Sequence, residues 1–205
     1  MRDHLRAGVA IYNVGEHHAA HDAWEDHWLG LESGSDDERF LHGLIQFTAA
    51  VHHAQYANWA GVRGLAESAV EYLADLPADY RGVNVGEVRA YLRAVAADPE
   101  HVEREAPPEL THEGRALVPE DLRFDAAAVA AEVLAEEYCY DEDVIETAVE
   151  YARADLESER ATSQFVTFVM DFASDRANRG IIFQRLSQHV EKRTYREEDV
   201  DGLFE

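Results

Sequence analysis

Four of the chain's five prolines, Pro99, Pro107, Pro108 and Pro119, fall within residues 98–123. Proline removes a backbone donor and clashes with the preceding turn, so a helix interior rarely tolerates it. Residues 1–97, with Pro77 alone, and residues 124–205, with none, are therefore left free to run as helices. The apolar pattern uses that freedom. Phe40, Leu44, Phe47 and Val51 recur at the spacing of one helix face. Val62, Leu65, Ala69, Val70 and Leu73 repeat it before Pro77, and Val88, Tyr91, Leu92 and Val95 repeat it after Asn84. The expected fold class is all-α, with an N-terminal helical bundle over 1–97 and a C-terminal helical region over 124–205. Residues 98–123, acidic and proline-rich, are expected to form a surface connector without an apolar stripe.

Within that frame, the first segment spans about 3–29 and is bent or broken near Asn13-Val14-Gly15. The second spans 36–58, with Ser35 or Asp36 as its cap. Helical pattern resumes at Asp125, read as an N-cap, and runs to about Cys139. A long segment from Asp141 places Val144, Ile145, Ala148, Ala152 and Leu156 inward. A break is expected near Ser158–Ser163. Phe165, Phe168, Val169 and Phe172 follow, then Ile181, Ile182, Leu186 and Val190. The acidic tail from Glu197 is expected to fray.

Charge narrows the setting. Asp and Glu number 42 against 18 basic residues, for a net charge of −24. Lys192 is the one lysine among those 18. Disorder would suit such acidity, but 46% hydrophobic residues at helical spacing point to a folded protein. Self-repulsion at this charge density opposes compaction in dilute buffer. Molar salt shortens the Debye length to about 3 Å and relieves it. A halophilic origin is the expectation. A nucleic-acid partner is not expected, because phosphate binding needs a basic surface. No apolar run approaches a membrane span. A lone cysteine, Cys139, excludes an internal disulfide and suits the cytoplasm; it is expected to be buried filler. Association into a homo-oligomer and the identity of any small-molecule ligand are left open.

The chemistry concentrates in His17-His18-Ala19-Ala20-His21-Asp22-Ala23-Trp24-Glu25-Asp26-His27-Trp28 and in the following helix from Phe40 to His53. His18, His21, Glu25 and Trp28 share one helical stripe. Gly43, Gln46, Ala50 and His53 share another, small enough for a neighbour to come close. An antiparallel hairpin would set Gln46 and His53 opposite His21 and Glu25. His18, His21, Glu25, Gln46 and His53 are thus the candidate polar centre, with Trp24, Trp28 and Asn58 as candidate pocket-lining residues. His17, His27, His42, His52 and His101 read as exposed or half-exposed surface.

These motifs also carry a resemblance. Asn13-x-Gly15-x-x-His18-x-x-His21-x-x-Trp24-Glu25-x-x-Trp28, then Arg39-Phe40-Leu41-x-Gly43-Leu44-Ile45-Gln46, then His53 with Asn58-x-x-Gly61, resembles the family called domain of unknown function 309. The resemblance covers roughly residues 10–75. The chain departs from the family's usual pattern at His18, where an aromatic is common, and at His42, where Gln is common. The resemblance implies a helical domain, with residues 124–205 looking like an extension found beside it in haloarchaeal relatives. It implies no reaction.

Two functions from different classes follow. One is a structural or binding protein whose polar centre is architectural, with Glu25 accepting from His21 or His53 and Gln46 satisfying the remainder. The other is a metal-dependent hydrolase or oxygen-handling enzyme. There His21, Glu25 and His53 would hold a divalent metal, zinc or iron, and leave a position open. The His-Glu-x-x-His signature of zinc proteases is absent, and whether the chain is an enzyme stays open.

Overall fold

The computed structural model describes residues 1–159 and 162–201. It is an all-α protein with a minimal β-hairpin, and it divides into two compact units, Met1–Leu122 and Arg123–Glu205.

The first unit opens with α1 (Arg2–Asn13) and α2 (His17–Trp28). The expected break between them is real: Gly15 adopts φ +87°, a left-handed conformation that glycine reaches without steric cost. α3 (Asp36–Gln55), α4 (Trp59–Leu73) and α5 (Val85–Ala97) follow, each packed on its predecessor. Local chemistry fixes the start of α3. Ser35 Oγ accepts from Glu38 N, while Glu38 Oε2 accepts from Gly34 N, a reciprocal arrangement close to a capping box. The stripe Phe40, Leu44, Phe47 and Val51 is buried.

Two glycines set helix spacing here. A Cβ on Gly8 would lie 2.1 Å from Trp24 Nε1, and one on Gly43 would lie 2.5 Å from Leu73 Cδ2. Gly8 thus lets the fully buried Trp24 ring lie across α1. Gly43 admits Leu73 of α4, so the small-residue stripe of α3 serves α4 rather than α2.

Residues 98–122 depart from the expected surface connector. They hold α6 (His101–Arg104), the hairpin β1 (Thr111–His112) with β2 (Arg115–Ala116), and a 3-10 turn at Pro119–Asp121. Leu110, His112, Leu117 and Leu122 are buried, so this segment is part of the first unit. Asn13 fastens it: its side chain donates to the Leu110 and Leu117 carbonyls and accepts from Leu110 N. Leucines at irregular spacing bury one at a time and leave no stripe to detect.

The second unit consists of α7 (Phe124–Glu137), α8 (Glu142–Glu157), α9 (Gln164–Ser174) and α10 (Arg179–Asp201), with α9 packed on the other three. α7 begins one residue before Asp125, which sits in its first turn rather than at the cap. Cys139 is exposed in a left-handed turn with φ +55°, not buried as expected. Leu156 is 48% exposed, and the inward position beside it belongs to Asp155. That buried carboxylate pairs with Arg193 Nη1 at 2.9 Å and accepts from Ser163 Oγ at 2.8 Å. Arg193 in turn lies 4.1 Å over the Tyr151 ring. Ile181 also points outward. Part of the expected break at 158–163, residues 160 and 161, and the end of the tail, 202–205, lie outside the described residues.

Candidate functional site

α2 and α3 run antiparallel, and the register between them is visible at both ends. At one end Trp28 Nε1 donates to Glu38 Oε1 at 2.9 Å and packs on His42, ring centroids 4.7 Å apart. At the other, His18 lies 5.9 Å from His52. The α3 residues that meet α2 thus include Glu38, His42, His52 and Gln55, one step off the Gln46–His53 stripe the sequence suggested.

A cleft of about 150 Å³ opens at the His52 end, lined by His17, His18, His21, Thr48, Ala49, His52 and His53. Five imidazoles from two helices thus share one opening, and its lining holds no Arg or Lys. Asp22 organises two of them. His21 Nδ1 lies 2.8 Å from Asp22 Oδ1, and His18 Nδ1 lies 3.2 Å from Oδ2. A carboxylate only accepts, so His21 Nδ1 carries the proton in that bond. The Asp22 bond also holds the His21 pKa above the usual histidine range, outweighing the opposing effect of burial.

His53 is oriented by a different device. Gly61 N donates to Asn58 Oδ1, which fixes the amide, and Asn58 Nδ2 then donates to His53 Nδ1 at 2.7 Å. His53 accepts at Nδ1 and so carries its proton on Nε2. His17 Nδ1 meets Gln55 Nε2 at 3.0 Å, and His17 packs on Tyr12.

The candidate residues separate accordingly. His18, His21 and His53 come together in the cleft. Glu25 lies beyond its lining, yet it forms with His21 and Asp22 a group whose donor atoms all fall within 4.8 Å of one another. Gln46 is half-buried outside the lining. Trp24 is core, Trp28 belongs to the Glu38 cluster, and Asn58 caps α4 while holding His53. His17 and His52, which the sequence suggested were surface, line the cleft. The Trp28 contact to Glu38 was the missing signal, since it sets the hairpin one residue back.

A second cluster sits at the far end of the same helix pair. Burial pushes the Glu38 carboxyl up, but hydrogen bonds from Trp28 and Gly34 and the nearby His42 ring outweigh it and hold it low. His42 Nδ1 lies 3.5 Å from Glu38 Oε1, and its ring stacks on Tyr72 at 3.9 Å. This cluster ties α2, α3 and α4 together.

The sequence model of the family described as domain of unknown function (DUF309) matches residues 5–65. The match takes in α1, α2, α3, the Asn58 cap and Gly61, and so the whole cleft, and it supports the resemblance drawn from the motifs. An uncharacterized protein of Aquifex aeolicus (strain VF5) is also similar, 32% identical over 91 residues. The aligned part is 44% of this chain and spans 27% of that relative's length.

Proposed function

We propose that the first unit is a metal-binding helical module, and that its ion is a divalent transition metal of the zinc or ferrous class. The observation that supports this most is the grouping of His21, Asp22 and Glu25, one ligand atom of each lying within 4.8 Å of the others. Imidazole and carboxylate donors suit zinc and iron over calcium or magnesium. His53 leaves the ligand set, because its Nε2 carries the proton.

Three protein donors leave a coordination position for an outside ligand, the arrangement that hydrolytic or oxygen chemistry needs. An architectural role suits the Trp28–Glu38–His42–Tyr72 cluster, which links α2, α3 and α4. The surplus of carboxylates suits work in molar salt, and the lone cysteine suits a reducing compartment.

Titration calorimetry of untagged protein with zinc, in molar KCl, tests the reading. One zinc per chain is expected. His21→Ala and Glu25→Gln should each abolish stoichiometric uptake, while His42→Gln, in the other cluster, should leave it intact. Uptake that survives both of the first two substitutions would overturn the proposal.

A further inference from the structure

A larger cavity, about 430 Å³, lies against α5 and shares no residue with the histidine cleft. Pro99 forces the residue before it out of the helical region. Asp98 is accordingly extended and ends α5, and the chain returns along that helix through α6 to Pro108. One wall of the cavity is a stripe of α5: Glu87, Ala90, Tyr91 and Ala94, at i, i+3, i+4 and i+7. His101, Glu105 and Pro108 face it from the returning segment. Two tyrosines tie that segment down. Tyr91 Oη donates to the Glu105 carbonyl at 3.4 Å, and Tyr12 Oη donates to the Pro108 carbonyl at 3.1 Å. Alanine at 90 and 94 keeps the space between the walls open. Its volume falls within the range of small-molecule sites.

The charge around this cavity has one sign. Glu87 and Glu105 border it, and its lining holds no Arg or Lys. Arg104 is paired with Asp98 instead. Asn84 Nδ2 donates to Glu87 Oε2 at 2.7 Å, and His101 Nε2 lies 3.3 Å from Glu105 Oε2. Each contact positions a carboxylate without exhausting it, since a carboxylate accepts about four hydrogen bonds. Burial, reinforced by Glu105, pushes the Tyr91 hydroxyl up to about 12. The ring therefore stays neutral, and the face of a neutral phenol favours a cation.

We propose that this cavity binds an aliphatic ammonium ion, its carbon chain against Ala90, Ala94 and Pro108 and its charged head at the Glu87 and Glu105 carboxylates. The lining selects both halves of that ligand. An anion would meet two carboxylates and no fixed cation. An inorganic cation would leave the alanine and proline surface without a partner, and a neutral hydrocarbon would leave the carboxylates without one. The site is independent of the metal reading, since it is built from α5 and the segment after it rather than from α2 and α3.

Calorimetric titration of the full-length, metal-free protein with hexylamine tests the proposal, at about pH 8, where alkylamines are charged. Hexylamine should bind at one site per chain. Hexanol and hexanoate, which share its carbon chain, should bind at least about tenfold more weakly at matched KCl, the weight of a hydrogen bond to a charged group. Glu87→Gln keeps an acceptor for Asn84 but removes the charge, and Glu105→Gln removes the other. Each should weaken hexylamine about tenfold. Ala94→Leu fills the cavity and should abolish binding, with the thermal midpoint reporting whether the fold survives. The two glutamine variants, both at exposed positions, decide the matter even if it does not. His21→Ala should bind hexylamine as the parent does. Hexanol binding as tightly as hexylamine, or parent-like affinity in both glutamine variants, would overturn the proposal. So would a lysine peptide that binds where hexylamine does not, since that result would assign the cavity to a protein partner.

Discussion

At the scale of single residues, a few polar side chains fix far more than their own surroundings. Asn13 stands in the motif that carries the family resemblance, yet its partners are almost a hundred positions downstream, and no local pattern announces them. His112 is another case. It is buried in the β-hairpin with Arg6 Nη1 3.4 Å from its Nδ1. Burial, reinforced by Arg6 and Arg2 and opposed by Glu113 and Asp79, lowers its pKa. The folded state therefore binds a proton less readily than the unfolded chain, whose histidines titrate near 6.5. Stability due to this residue is level above that value and falls as pH drops from it toward the lower folded value. Urea midpoints from about pH 8 to about pH 5.5 should show this loss, and His112→Gln should flatten it. An equal loss in parent and variant would remove His112 from the account. His21, whose pKa is raised, works in the opposite direction in both proteins and so cancels in the comparison.

Among elements, the helices were legible because core positions repeat at helical spacing, and the Gly15 break and the Ser35 cap were legible because each is local chemistry. What sequence could not supply was rotation of one helix against another. Shifting α3 by one residue exchanges His53 for His52 as the group opposite His18, and composition is indifferent to that shift. Trp28 and Glu38 decide it. The small-residue face of α3 was likewise visible, but not its partner: Gly43 accommodates Leu73 of α4. Gly43→Ala should therefore separate α3 from α4 and cost about 1–3 kcal/mol, the usual range for overpacking, despite alanine's better helix propensity. Thermal unfolding checks it, and a stabilised variant would contradict the packing described. Asp155 shows the converse limit in the second unit. Its neighbour Leu156 fits the apolar stripe better, but the carboxylate is buried because Arg193 and Ser163 meet it there.

On the scale of the whole chain, the connector was the expectation that changed most. Residues 98–122 carry their acids outward and bury their leucines together with Pro99 and Pro119, so composition described their surface and concealed their burial. Charge acts at this scale too. With −24 net charges on 205 residues, repulsion is spread over the surface, and screening should relieve it. The thermal midpoint should climb steeply from about 0.1 M to about 3 M KCl; a flat response would show that the acidity serves a basic partner instead. The histidine cleft itself is probed most directly by zinc X-ray absorption on the untagged protein carrying one equivalent of metal. The account predicts nitrogen and oxygen neighbours at about 2.0–2.2 Å with the outer-shell scattering of an imidazole, lost in His21→Ala. A zinc surrounded by carboxylate oxygens alone, or a spectrum unchanged in His21→Ala, would contradict it.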